Sequence, residues 1–238
     1  TRKESSAASD VYKRQINLAS LKAVIETRGQ LGFNVIVLIE MGEERGSPGL
    51  REFCAANKNL FNADVFIASD GPRTAPEMPT IFMGARGVLN FTMRLNSHTG
   101  AHHSGNRGGL LTNPGVVMAH ALASMIDRNG KILVEGWRNT TLSKSVREAI
   151  AKLKVGGGEN SPEINPNWGE PGMTPEERVF GSNTFEVRAF ETGNPQFPAN
   201  AIPSSAVAFG HLRYVVGTQP EELMPVSYTH LRAHETRH

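Results

Sequence analysis

The chain has 238 residues, of which 39% are hydrophobic and 20% are charged, and its formal net charge is +2 at pH 7. This length admits one large domain or two ordinary ones, and no apolar run approaches the about 20 residues of a membrane span. No signal peptide opens the chain, and we expect a cytoplasmic protein that makes no membrane contact. The single cysteine, Cys54, excludes an intramolecular disulfide and says little about the compartment.

The two ends of the chain differ from the interior. Residues 1–15 and 225–238 show neither helical nor strand periodicity, and both resemble translated sequencing-adaptor read-through. We therefore expect them to be foreign segments on a fragment of a longer protein. Because they carry the excess of basic residues, the interior has no net positive charge, and the sequence pI of about 8.8 is no evidence for a nucleic-acid partner.

Residues 16–83 have the pattern of a parallel α/β unit. A helical pattern covers residues 16–28, and an apolar stretch at 31–41 predicts a strand buried on both faces. Ser47 and Pro48 predict the start of a second helix, and residues 63–71 predict another buried strand. This strand–helix–strand order predicts the unit of a parallel sheet with a right-handed crossover.

Residues 84–224 predict a separate α+β domain. Residues 88–96 alternate strictly between apolar and polar side chains, which is typical of a strand covered on one face. Further strands are predicted at 131–137, 184–190 and 204–217, and helices at 114–129 and 143–153, with a capping box at Thr174. Two helices against a mostly antiparallel sheet make a compact two-layer domain.

Three carboxylates follow the predicted parallel strands. Glu43 and Glu44 come directly after the first strand, and Asp70 ends the second, so we expect them at one edge of the sheet. Unpaired carboxylates repel one another, and a divalent metal would neutralise them, with one Glu as ligand and the other taking a proton from water. The alternative is an ordinary solvent-exposed turn.

A histidine-rich loop and two polar residues near the last strand are further candidates. Residues 96–109 could cradle a phosphate but lack the P-loop lysine, could hold a Ser104–His pair but lack the nucleophile turn, or could form a plain surface loop. Arg213 is either an edge charge or a fork for a carboxylate, and Asn200 is either a turn residue or a ligand contact.

Four blocks, taken in order, resemble the di-zinc metallopeptidase family of aminoacylases, acetylornithine deacetylase, carboxypeptidase G and carnosine-type dipeptidases. They are EMGEERGSPGL, ASDGP, HHSGNRGG and NAIPSSAVAFGHLRYVVGT, and the resemblance runs from about residue 16 to 224. It implies part of a zinc-peptidase-like catalytic domain over 16–83 and a ferredoxin-like lid and dimerisation domain over 84–224. It also implies a homodimer with two zinc ions per active site, with cobalt or manganese possible.

The resemblance also implies roles for individual residues. Glu43 is the expected base that activates water, while Glu44 and Asp70 are the expected ligands of one zinc ion each. His103 is the expected lid histidine, which reaches the active site of the partner subunit and polarises the scissile carbonyl.

Two lid residues complete these expectations. Asn200 is expected to hold the tetrahedral intermediate, and Arg213 is expected to bind the free carboxylate of the substrate. The His-x-Asp pair that the family needs does not occur in this sequence, so we expect the fragment to bind zinc poorly and not to turn over substrate. The predicted parent is a hydrolase of N-acyl amino acids or dipeptides, and the alternative is a non-catalytic ligand-binding or dimerisation module.

Overall fold

A computed structural model describes residues 2–68, 81–82, 84–139, 141–156 and 162–235. The chain divides into two compact units, Thr1–Arg73 (unit 1) and Thr74–His238 (unit 2), which are described separately below.

Within the described residues, the helices are α1 (Arg2–Arg28), α2 (Leu50–Ala56), α3 (Ser104–Arg107), α4 (Pro114–Met125), α5 (Lys144–Ile150), α6 (Pro175–Phe180) and α7 (Pro220–Glu235). The strands are β1 (Gly87–Asn96), β2 (His102–His103), β3 (Thr184–Thr192), β4 (Ala201–Ile202) and β5 (Ser205–Tyr214). Short 3₁₀ turns lie at Glu43–Arg45, Lys58–Phe61 and Glu135–Trp137.

Unit 1 begins with a helix that is longer than the sequence pattern predicts. The helix predicted over 16–28 is confirmed, but α1 starts at Arg2 and therefore also includes the first segment, which shows no helical periodicity in its sequence. The segment contains neither Pro nor Gly, the residues that interrupt helices most strongly, so nothing in it prevents a helix.

The predicted parallel strands of unit 1 are absent from its described residues. Residues 34–40 form no strand, and apolar side chains such as Ile36 and Ile39 are about half exposed, at 52% and 50%. Residues 65–68 are also irregular and exposed, and the end of the second predicted strand, with Asp70, lies outside the described residues. An extended segment becomes a strand only when neighbouring strands satisfy its N–H and C=O groups, and the described part of unit 1 supplies none.

The start of α2 also differs from the prediction. Ser47 does not cap the helix, because it occupies a left-handed conformation at φ 50° within a tight turn, and Leu50 donates a hydrogen bond to its carbonyl. Gly49, at φ 83°, is the residue that precedes the helix. None of the residues of α2 is buried, so this helix does not contribute side chains to a core.

Unit 2 contains a three-stranded antiparallel sheet in the order β1–β5–β3. The β1–β5 register runs from Gly87 opposite Tyr214 to Asn96 opposite Ser205. On the other side of β5, Thr184 of β3 lies opposite Arg213, and a bulge interrupts the pairing further along β3. The three long strands predicted in this region are therefore confirmed, and their observed ends differ from the predicted ends by at most a few residues.

One face of this sheet packs against α4, α7 and the segment between α4 and α5. Phe91, Phe185 and Trp137 form an aromatic cluster with ring centroids 5.4 to 5.7 Å apart. The buried residues of the main core are Met125, Ile132, Val134, Trp137, Phe185, Leu212 and Leu223. The alternation of β1 puts its apolar side chains on this face, as predicted, and unit 2 is an α+β domain.

The segment after α4 is not the strand predicted at 131–137. It makes one isolated bridge, between Ile126 and Ile132, and then turns through a 3₁₀ turn that ends at Trp137. The turn places the Trp137 indole in the core, where its Nε1 donates a 2.7 Å hydrogen bond to the carbonyl of Leu223. Burial of this large ring therefore takes precedence over continued strand geometry.

The boundaries of α4 follow its predicted start and differ at its end. Asn113 caps the helix with its side chain, and Pro114 is the first helical residue, as predicted. The helix ends at Met125 rather than near Gly130, since Asp127 accepts hydrogen bonds from two main-chain N–H groups in a turn. The Val117 side chain, within α4, is 43% exposed.

Helix α7 continues through the segment that the sequence marked as foreign. It runs to Glu235, and Val226 and Leu231 pack against the main core, while Ser227 is only 5% exposed. Residues 225–235 are therefore helical although their sequence shows no helical periodicity. In the part of the chain that the structure describes, no helix combines the length and apolar character needed to cross a membrane.

Candidate functional site

The predicted carboxylates lie in unit 1. Glu43 begins a 3₁₀ turn and is exposed, and its carbonyl accepts a 2.8 Å hydrogen bond from the N–H of Gly46. Glu44 lies in the same turn, and Asp70 lies outside the described residues. The roles of these three residues stay predictions.

Among the described residues, no group of three or more His, Cys, Asp and Glu side chains is arranged to hold a metal ion. The described part of the chain therefore does not form a metal centre by itself, and we assign no reaction step to a metal in it.

His103 and Asn200 come together in unit 2. Strand β2 pairs with β4, so that His103 lies opposite Ala201, and the N–H of Ser104 donates a 2.9 Å hydrogen bond to the carbonyl of Asn200. Both His103 and Asn200 are exposed. The structure thus joins two residues that are about a hundred positions apart in sequence.

A local hydrogen bond sets the tautomer of His103. Its Nδ1 accepts the main-chain N–H of Gly105 at 3.1 Å. In a neutral imidazole, one nitrogen accepts and the other carries the proton, so the Nε2 of His103 is an N–H donor. The exposed ring therefore offers a hydrogen-bond donor to a ligand.

The rest of the histidine loop is also ordered by hydrogen bonds and ring packing. The Nδ1 of His98 donates a 2.9 Å hydrogen bond to the carbonyl of Gly100, which sits at φ 70°, a conformation that favours glycine. The rings of His98 and His102 pack edge to face, with centroids 5.1 Å apart. The loop is thus held against the end of the sheet.

Arg213 lies near the opposite end of β5. It is paired with Val88 on one side and Thr184 on the other, and its position alternates with the core residue Leu212. Arg213 therefore lies on the face of the sheet away from the core, where its side chain is partly exposed.

Charged groups gather around Arg213. Burial lowers the pKa of His211, and the positive charges of Arg213, Arg188 and Arg86 lower it further. Burial and the charge of Arg213 lower the pKa of Arg86, while Glu186 acts in the opposite direction. This end of the sheet is therefore rich in positive charge.

Sequence reasoning missed Arg86, Glu186 and His211. His211 lies two residues before Arg213 in a predicted strand, so the sequence alone indicates that the two residues share a face of the sheet. Glu186 lies directly opposite His211, a neighbourhood that only the strand register reveals.

The two groups of candidate residues are far apart within one copy of the chain. His103 and Asn200 lie beside the start of β5 at Ser205, whereas Arg213 lies eight positions further along that strand. At about 3.4 Å per residue, this corresponds to roughly 27 Å along the strand. The structure therefore does not bring Arg213 together with the histidine loop of the same copy.

Comparison with known families gives one match that covers most of unit 2. The model of the peptidase dimerisation domain matches residues 83–237.

Several curated relatives are dipeptidases. The chain is 33% identical over 124 residues to the Beta-Ala-His dipeptidase of Rattus norvegicus, a match that covers 50% of this chain and 25% of that protein. It is 32% identical over 123 residues to the Cysteinylglycine-S-conjugate dipeptidase of Corynebacterium striatum, covering 51% and 27%, respectively. It is 31% identical over 119 residues to a Cys-Gly metallodipeptidase of Candida albicans, covering 48% and 24%. The matched segment thus spans about a quarter of these relatives.

Solved structures support the fold. Human carnosine dipeptidase 1 superimposes with a TM-score of 0.68 at 20% identity, over 92% of this chain and 48% of that chain. A metallo-carboxypeptidase from Sulfolobus solfataricus superimposes with a TM-score of 0.64 at 24% identity, over 79% and 50%, respectively. The sheet, its covering helices and the family match agree, and the chain belongs to the peptidase dimerisation domain family.

Proposed function

We propose that this chain is the dimerisation part, with a portion of the catalytic part, of a metal-dependent peptidase that cleaves dipeptides or N-acyl amino acids. The observation that carries this proposal is the placement of a hydrogen-bond donor, His103, on the β2–β4 ladder beside the start of β5, and of a carboxylate-binding candidate, Arg213, near the other end of β5. The curated relatives, which are named as dipeptidases, support the substrate class.

Arg213 binds the free carboxylate of the substrate in this proposal. A guanidinium offers a planar pair of N–H donors that matches a carboxylate, and such charge-assisted pairs are stronger than neutral hydrogen bonds. The positive charges of Arg86 and Arg188 near this end of the sheet add to the attraction. A substrate without a free carboxylate loses this interaction.

His103 and Asn200 act on the scissile bond. The Nε2–H of His103 donates to the carbonyl oxygen and stabilises the negative charge that develops on it during attack by water. The main-chain carbonyl of Asn200 accepts the N–H of Ser104, which keeps Asn200 beside the histidine loop, and its side chain is proposed to hold the tetrahedral intermediate.

A second copy of the chain resolves the distance between these groups. A dipeptide substrate is two extended residues long, which corresponds to about 7 Å. It is therefore far too short to reach from the histidine loop to Arg213 within one copy of the chain. In the proposed two-fold dimer, the histidine loop of one copy lies near the Arg213 end of the other, so that each active site takes residues from both. We therefore propose a homodimer.

The remaining roles are proposed from the sequence. Glu43 is the proposed general base, and Glu44 and Asp70 are the proposed metal ligands, with zinc as the proposed metal and cobalt or manganese as alternatives. Further ligands are expected from parts of the protein beyond this chain, because the described residues do not form the centre.

The test uses the full-length protein that contains this chain, with zinc, manganese or cobalt and a panel of dipeptides and N-acyl amino acids. We expect hydrolysis of substrates with a free carboxylate, and a loss of kcat/KM of about 100-fold or more when the same substrate carries a C-terminal amide. Equal rates on the acid and the amide would contradict the role of Arg213. Absence of hydrolysis with every metal would favour the non-catalytic module.

A further inference from the structure

We propose that a cavity in unit 2, separate from the histidine loop, binds a free α-amino acid in its zwitterionic form. This cavity, named the β3 cavity here, lies between the start of β3, the segment around residues 163–170 and helix α6. Its volume is about 460 Å³, within the range of small-molecule sites in proteins.

The walls of the β3 cavity combine apolar surface with a few charged groups. Ile132, Trp168 and Val179 give it an apolar wall, and Ile132 belongs to the main core of the unit. Asn183 and Thr184 add neutral polar groups at the start of β3. Such a mixture suits a small ligand that has a short side chain and two ionic ends.

The charged groups that line the cavity have both signs. Arg86 and Arg178 are cationic, and Glu163, Glu170 and Glu186 are anionic. Glu170 already has a partner, because Arg138 makes a charge-assisted hydrogen bond with it. Two cations and two anions therefore remain to meet a ligand.

Arg86 and Glu186 are not fully compensated by the protein. Among the described residues, the guanidinium of Arg86 donates one hydrogen bond, a long one of 3.5 Å to the hydroxyl of Thr184. Burial lowers the pKa of Arg86 and raises that of Glu186, so at both residues the loss of hydration outweighs the attraction between their charges. A ligand carboxylate next to Arg86 and a ligand ammonium group next to Glu186 would replace the hydration that these two charged side chains have lost.

Arg178 adds a third indication. Its Nη1 donates to the carbonyls of Pro166 and Trp168 at 2.8 and 2.7 Å. Its Nε is buried and makes no hydrogen bond to any described residue. A buried donor without a partner is costly, which favours an acceptor supplied by a ligand.

Ligands of a single sign fit less well. A phosphate would be attracted by the two guanidinium groups but repelled by Glu163 and Glu186, and a divalent cation would meet the opposite problem. A zwitterion meets both sets of charges with opposite ends. Free amino acids are the products of a peptidase. Identifying the ligand as a reaction product rests on the proposed function, whereas the proposal that the cavity binds an amino acid does not.

The two tryptophans give a direct test on the 238-residue chain. Trp168 lines the cavity, whereas the indole of Trp137 is fully buried and bonded to Leu223. In an ¹⁵N-labelled sample, L-alanine should shift the indole N–H signal of Trp168 to saturation and leave that of Trp137 in place. Acetate carries only the carboxylate and ethylamine only the ammonium group, so each should bind at least about tenfold more weakly than L-alanine.

Variants assign the binding to the charged residues. Glu186→Gln and Arg86→Gln should each weaken L-alanine binding by about tenfold or more. Glu191→Gln and Arg94→Gln are the matched controls, because both residues are exposed on β3 and β1 and neither lines the cavity. The proposal is overturned if the Trp168 signal does not saturate, if acetate or ethylamine binds as tightly as L-alanine, or if the control variants weaken binding equally.

Discussion

The main-chain N–H of Ser104 donates a 2.9 Å hydrogen bond to the main-chain carbonyl of Asn200. This bond extends the short β2–β4 ladder and fixes the histidine loop to the turn that leads into β5. The position of His103 therefore depends on main-chain geometry, and its ring orientation depends on the N–H of Gly105.

Gly105→Ala should lower the proposed peptidase activity of the full-length protein about tenfold, because small displacements of a positioned group are costly in catalysis. A Cβ at this position would lie 2.9 Å from Cε1 of His103 and push the ring away. Gly84→Ala is the control, since a Cβ there meets nothing within 4 Å. The measurement is kcat on a dipeptide, together with the melting temperature. Equal kcat values for the two variants would show that the His103 orientation does not matter.

Asn183 should be important for the stability of unit 2. Its side chain is only 6% exposed, donates to the carbonyl of Trp137 at 2.8 Å, and accepts from the N–H of Val215 at 2.9 Å. Asn183→Ala leaves both groups buried without this partner, and we expect a loss of about 2 to 4 kcal/mol in the free energy of unfolding. Urea unfolding measures it. Asn96→Ala, at an exposed position of β1, should change stability by about 0.5 kcal/mol or less.

Two phenylalanines on β3 offer a matched test of the core. Phe185 is 1% exposed and packs against Phe91 and Trp137, whereas Phe190 is 43% exposed. Phe185→Ala should reduce the free energy of unfolding by about 3 to 5 kcal/mol, and Phe190→Ala by clearly less. Similar losses in urea unfolding would mean that the aromatic cluster is not the centre of the core.

The stability of the chain should depend on pH through His211. Burial and the neighbouring arginines hold its pKa below the usual 6.5 in the folded state. The unfolded chain therefore binds the proton more readily, and the stability that neutral His211 provides is present above pH 6.5 and is lost as the pH falls through the lowered pKa.

His211→Gln should make the melting temperature less sensitive to acidification below pH 6.5. Glu186 lies opposite His211, and its raised pKa means that its protonation at low pH stabilises the folded state, whereas protonation of His211 destabilises it. The difference between wild type and variant isolates the histidine. If the melting temperatures of the two proteins fell equally with pH in this range, His211 would not be the group that destabilises the fold on acidification.

The fold of unit 2 was largely predictable from sequence because its signals are local. The two-residue alternation of β1 and the Asn113–Pro114 start of α4 each specify an element without knowledge of its neighbours. The apolar stretch at 31–41 differs, since it predicts burial but not the partners that burial requires. The segment at 131–137 failed for a related reason, because tertiary burial of Trp137 sets its path.

The candidate site was predictable only in part. His103, Asn200 and Arg213 stand out as polar residues in unusual sequence contexts, and the structure shows which of them are neighbours. Arg86 and Glu186 do not stand out, because their relation to Arg213 arises from the register of three strands. Charge neighbourhoods across a sheet are not visible in a single sequence.

Mixing two inactive variants of the full-length protein tests whether each proposed active site takes His103 from one subunit and Arg213 from the other. His103→Ala and Arg213→Ala should each be inactive alone, and subunit exchange between them should restore about a quarter of wild-type activity, because half the dimers are mixed and one of their two sites is intact. A mixture that exchanges subunits but stays inactive would contradict the account, since both residues would then serve the same site from the same chain.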